Sequence, residues 1–162
     1  MGLYSDLAPF ESNAGLFFIV LSFGIVLARI LSARPINNGK IVQMILIGSC
    51  FLILSFILFT FCKSTLMLSL IAFIMGVGLG YLNPAFQTML INLARHKQRG
   101  TANATYFTLW DLGIGIGTVI GGMVIENLNF DWLYGICSGT LVVGIIYFFT
   151  ISESCFLKNK LR

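Results

Sequence analysis

Charge is what this sequence has least of. Ten Lys and Arg, six Asp and Glu and one His are spread over 162 residues, so 10% of the chain is charged. A soluble domain carries roughly 25%, and a water-facing surface cannot be built from so few. The lone histidine, His96, lies between Arg95 and Lys97 in a basic stretch and reads as a solvated loop residue. No spacing of Cys, His or acid suggests a metal site. The glycines sit in apolar runs without the Lys-Ser/Thr pair that cradles phosphates, and no nucleophile stands with a base. Enzyme chemistry and resident cofactors are therefore not expected. The net charge of +4 could suggest nucleic acid. The basic residues, however, fall between apolar segments, which fits loop anchoring better than a binding face.

What is present is apolar. Hydrophobic residues make up 57% of the chain, 15 of them Phe. Charge is absent, or nearly so, over residues 15–33, 41–61, 66–91, 103–125 and 132–151. Each run is near the ~20 residues that cross about 30 Å of hydrocarbon. In lipid each must be helical, because unpaired backbone groups cannot be left there. The expected fold is all-α: one polytopic bundle of about five spans over residues 1–162, with the lipid bilayer as its first partner. If the N-terminal end lies outside, Arg29, Arg34, Lys40, Arg95, Lys97, Arg99 and the three basic residues of the C-terminal LKNKLR are inside, and only Lys63 is outside. That asymmetry favours an external N-terminal end and a cytoplasmic C-terminus. Cys62 and Cys155 then lie on opposite sides and cannot pair. Trp132 fits an outer interfacial anchor.

Three motifs stand out. The stretch LARILSARPINNGKI joins the first two spans and holds Arg29, Arg34, Gly39 and Lys40. The third span carries Gly76-x-Gly78-x-Gly80-x-x-x-Pro84, with Asn83 and Gln87 four apart on one helical face. Proline there removes a backbone hydrogen bond and permits a kink. The two amides either line a cavity or hydrogen-bond a neighbouring helix as packing residues. The fourth span opens on Arg99-Gly100-Thr101-Ala102-Asn103 and continues through Tyr106 and Asp111. Gly113, Gly117 and Gly121 form one stripe along it, and Gly115 and Gly122 share a second with Asp111. Glycine on two stripes suits close helix packing on two sides.

Asp111 is the one ionisable group well inside a span. Such a group is a functional hypothesis by default. Desolvation disfavours its charged form, a property suited to taking up and releasing a proton. It could also face a cationic substrate, or bond a neighbouring helix and only hold structure.

These motifs resemble those of the major facilitator superfamily, in its C-terminal half from just after the seventh helix to the end. The likeness is greatest to bacterial efflux permeases. The first loop is similar to the family's R-x-x-x-G-R-x-x-D-R-x-G-[RK], with Ala33 where Gly is usual and Asn37 where Asp is usual. The resemblance implies a cytoplasmic gating role for Arg29, Arg34, Gly39 and Lys40; the plainer alternative is a positive loop without that role. It implies that the five spans are helices eight to twelve of a carrier in the plasma membrane. It also implies that the chain moves a small solute by secondary-active efflux coupled to protons. Asp111, Asn83, Gln87 and Tyr106 are the residues expected to bind substrate or proton.

Residues 1–14 read like an external loop that follows an earlier span, and they show no signal-peptide pattern. The expectation is that an N-terminal half of the same transporter precedes them. The alternative is a non-transporting truncated fragment or a small membrane interaction protein. The DNA upstream of Met1 separates the two.

Overall fold

The computed structural model describes residues 14–62, 64–127 and 130–152. Five helices run through them: α1 (Ala14–Asn37), α2 (Ile41–Thr60), α3 (Thr65–Leu93), α4 (Arg99–Asn127) and α5 (Phe130–Tyr147). A 3-10 turn, His96–Gln98, leads into α4, and a π-helical turn, Phe148–Ser152, closes α5. All five helices are long and apolar enough to cross a membrane. Lys63, Cys155, the C-terminal LKNKLR and the side chain of Trp132 lie outside the described residues.

The outer surface is that of a membrane protein. Leu16, Ile19, Phe23 and Ile30 form an exposed stripe along α1, and α4 exposes Leu109, Leu112, Ile116 and Val119. Apolar area of this extent does not face water in a monomer. The chain is a polytopic membrane helix bundle.

Helix α3 stands at the centre, against α1 on one side and α2 on the other, while α5 packs on α2. Hydrophobic burial drives little association in lipid, where close approach and dispersion do the holding. The glycines of α3 supply that approach. Gly76 meets the Leu21 carbonyl and Gly24 of α1. One turn on, a side chain at Gly80 would lie 2.6 Å from Ala28 Cβ. Gly78 points the other way, to α2, where a Cβ would be 3.0 Å from the Gly48 carbonyl oxygen. The Gly-x-Gly-x-Gly spacing thus serves two neighbours, because residues two apart on a helix face nearly opposite directions. Beside these seams Ile41, Ile45, Leu52, Leu82, Ala85 and Met89 belong to the buried cluster, which Phe148 joins from the π-helical turn after α5. Ser32 and Ser55 are buried and bond back to the Arg29 and Leu52 carbonyls, at 3.0 and 2.7 Å.

Helix α1 continues beyond Ala33, where the uncharged segment ends, and includes Pro35. Its stop is Gly39, at φ +79°. The Gly39 N–H donates to the Ile36 carbonyl and the Lys40 N–H to that of Pro35, both at 3.0 Å. This is the paired bonding of a Schellman cap, with glycine at its left-handed position. Nothing lies within 4 Å of a Cβ there, so only backbone strain opposes substitution. Gly39→Val should destabilise the turn by about 1–2 kcal/mol, and Gly39→Asn by less. Thermal unfolding in detergent micelles, followed by circular dichroism, checks that order. Equal melting of the two variants would remove the requirement for positive φ.

Candidate functional site

A cavity of about 420 Å³ opens where α1, α3 and α4 meet. Its walls come from Arg29, Ser32, Ala33, Ile36 and Asn37 of α1, Asn83, Pro84 and Gln87 of α3, and Tyr106, Phe107 and Trp110 of α4. The volume falls in the range of small-molecule sites. Proline at position 84 lacks the N–H that would bond the Gly80 carbonyl, and the Thr88 hydroxyl donates to the Pro84 carbonyl at 2.7 Å. The helix therefore lacks one backbone hydrogen bond where α3 borders the cavity.

Two side-chain bridges hold α4 to α3. The Tyr106 hydroxyl donates to Asn83 Oδ1 at 3.0 Å and sits 3.3 Å from the Asn83 carbonyl oxygen. Gln87 Nε2 donates to Asn103 Oδ1 at 2.6 Å. Tyr106 is the buried residue of α4, and its ring leans on Phe107 and Trp110. The rest of α4 is far less covered. Every residue from Phe107 to Ile120 is exposed, and α4 touches α3 and α5 only lightly. The bridges are specific side-chain ties between α4 and α3. A double-mutant cycle of Asn83→Ala with Tyr106→Phe should give a coupling of about 1 kcal/mol, within the range for hydrogen bonds between spanning helices. Unfolding in mixed detergent measures it, and a coupling indistinguishable from zero would deny the bridge.

The structure brings Asn83, Gln87 and Tyr106 to one cavity and adds Arg29 and Pro84 to its lining. Asp111 does not line it. The carboxylate is exposed on α4, one residue beyond Trp110. Arg34 and Lys40 are also exposed, at the turn that Gly39 makes. Gly76, Gly78 and Gly80 lie at helix contacts. Gly113 and Gly117 have nothing within 4 Å of a built Cβ, and Gly121 meets only Leu133 Cδ1, at 3.7 Å. Among the described residues, no helix covers the glycine face of α4 at Gly113 and Gly117.

Asn103, Asn37 and Trp110 are site residues that motif reading did not select. Asn103 had a usable signal. In an antiparallel helical hairpin, residues at equal distances from the turn lie side by side. Gln87 and Asn103 stand nearly equally far from the turn at residues 94–98, as do Asn83 and Tyr106. Asn37 reaches the cavity because α1 remains helical through that position.

The family model described as Major Facilitator Superfamily matches residues 3–157. Curated relatives include the lincomycin resistance protein LmrB of Bacillus subtilis, 34% identical over 86 residues, which are 50% of this chain and 18% of that protein. The multidrug transporter protein MdtP of the same organism is 32% identical over 71 residues, 44% of this chain and 13% of that protein. A probable sugar efflux transporter of Pasteurella multocida is 24% identical over 157 residues, 91% of this chain and 38% of that protein. The chain thus spans at most 38% of the length of these relatives. No solved structure matches it.

Proposed function

The chain belongs to the major facilitator superfamily, and from that premise we propose that it is part of a secondary-active carrier that exports a small solute across the plasma membrane, coupled to a proton gradient. The observation that carries this reading is the cavity of about 420 Å³, with an arginine and three side-chain amides in its wall, in a bundle whose buried residues are mostly apolar. Polar groups at membrane depth are expensive and are kept where they bind or conduct something. The efflux direction draws support from relatives named for multidrug transport and sugar efflux.

The five helices correspond to helices eight to twelve of such a carrier, and an N-terminal half of the same transporter supplies the facing wall. The uncovered glycine face of α4 favours this arrangement, as does the span of at most 38% of each relative. The turns at residues 38–40 and 94–98 lie at one end of the bundle, because Ile36 and Ile41 share a buried cluster with Met89. Arg34, Lys40, Arg95, Lys97 and Arg99 gather at that end, which the positive-inside rule makes cytoplasmic. Arg29, Arg34, Gly39 and Lys40 then form the cytoplasmic gating segment, with Arg29 reaching the cavity.

The test is efflux from cells that carry the whole reading frame around this sequence, loaded in turn with a lincosamide, labelled sugars and cationic dyes. Export of one of these, stopped by an uncoupler, is the expected result. Retention of every solute at the level of empty cells would sink the reading.

A further inference from the structure

We propose that the cavity between α1, α3 and α4 is an anion site: it takes a carboxylate or phosphate group carried on an aromatic or aliphatic body. Among the described residues, Arg29 is the only ionised side chain in its wall, and neither Asp111 nor Glu126 lines it.

The hydrogen bonds set the polarity of the remaining groups. Asn83 Oδ1 accepts from Tyr106, so its side-chain amide N–H groups remain for a ligand. Gln87 spends one N–H on Asn103 and keeps the other. The Ser32 hydroxyl donates to the Arg29 carbonyl, which leaves its oxygen as an acceptor only. Among the described residues the wall therefore offers a guanidinium and spare amide donors with no competing carboxylate. That set matches anionic oxygen, since bonds from a guanidinium to a charged acceptor are among the strongest available. Phe107 and Trp110 of α4 also line the cavity and offer aromatic surface to the body that bears the anion. A cationic solute would meet the Arg29 guanidinium, with no acid beside it among the described lining residues, and is disfavoured.

The role of this site in transport rests on the carrier reading, because it names the class of solute carried. Binding itself is read without transport, so the two ideas fail separately. The chain is placed in phosphatidylcholine nanodiscs with Trp132→Phe, which leaves Trp110 as its one tryptophan. Quenching of Trp110 is followed with three probes of one shape: 4-nitrobenzoate, 4-nitrobenzyl alcohol and 4-nitrobenzylammonium. The expected result is a dissociation constant for the benzoate at least about tenfold below that of the alcohol, the worth of one charge-assisted hydrogen bond. Arg29→Gln should erase that preference and Arg29→Lys should keep part of it. Equal binding of the three probes by the unmutated site overturns the proposal without recourse to any variant. So does a preference that survives Arg29→Gln in discs whose helicity is unchanged.

A second arm replaces part of the lipid with phosphatidylglycerol. Loss of benzoate binding there, confined to chains that retain Arg29, supports the anion site with a lipid phosphate as its occupant. Unchanged binding supports it with a soluble organic anion. An anion preference without transport by the whole reading frame would leave the site standing and remove the carrier.

Discussion

Replacing Gly76 with valine should part α1 from α3. A Cβ at this position meets the backbone carbonyl of Leu21, with Gly24 Cα at 3.2 Å. Backbone cannot rotate aside as a flexible side-chain tip can. The helices must separate, and every contact along the seam loosens with them, because dispersion attraction falls steeply over fractions of an ångström. Overpacking of this kind costs about 1–3 kcal/mol and occasionally more. The upper end is expected here, where no hydrophobic drive from water recovers the loss. Gly76→Ala already carries the offending carbon and should be costly too. The matched control is Gly113→Ala on α4, where nothing lies within 4 Å of the added carbon. In the chain by itself that change should be neutral or stabilising by up to about 1 kcal/mol, through helix propensity alone. In a complete carrier the same Gly113→Ala should become costly if a helix of the other half lies against it. Detergent-induced unfolding of each variant, in the chain and in the complete protein, gives the four values needed. Similar stabilities for Gly76→Val and Gly113→Ala in the chain would refute the seam assignment.

The contrast between these two glycines shows how far the sequence could be read. Apolar runs the length of a bilayer, broken by charge, define a helical membrane bundle, because lipid permits little else. Glycines in such runs announce close packing, but not against what. Gly78 turns to α2 and Gly76 to α1, a division that depends on which helix packs on each side of α3. The glycines of α4 have the same spacing and no neighbour at positions 113 and 117. Polar residues were the easier signal, since Asn83, Gln87 and Tyr106 interrupt apolar runs and gather at one cavity. Arg29 was harder to place. At the end of an apolar run it reads as the first residue of a loop, yet the Schellman cap at Gly39 lies ten residues on. The guanidinium stays on helix, at the cavity wall, because of a turn whose hydrogen bonds no local pattern around Arg29 reveals.

Asp111→Asn in the complete carrier is expected to uncouple solute export from the proton gradient. The carboxylate sits near the middle of α4, within a stretch exposed from Phe107 to Ile120. Facing lipid there, an ionised acid costs about 2.5–3.5 kcal/mol by insertion scales. Within the apolar runs 15–33, 41–61, 66–91, 103–125 and 132–151 the other charged residue is Arg29, at the cavity wall. The cost falls away if Asp111 faces a watered cleft against the other half, and that placement also lets it exchange protons with solution. Asparagine keeps the shape and the hydrogen-bonding capacity but cannot carry the charge. A purely structural carboxyl should tolerate it, whereas a proton carrier should not. With one proton exchanged per solute and a driving force of about 100 mV, worth about 2.3 kcal/mol, the unmutated carrier sustains a gradient of roughly fiftyfold. The variant should sustain none, while still equilibrating labelled solute down its gradient at a rate that no longer changes with pH. Proteoliposomes with an imposed pH step measure both quantities. A variant that holds the full gradient with unaltered pH dependence would make Asp111 a packing residue and move the search for the coupling group to the half that faces it.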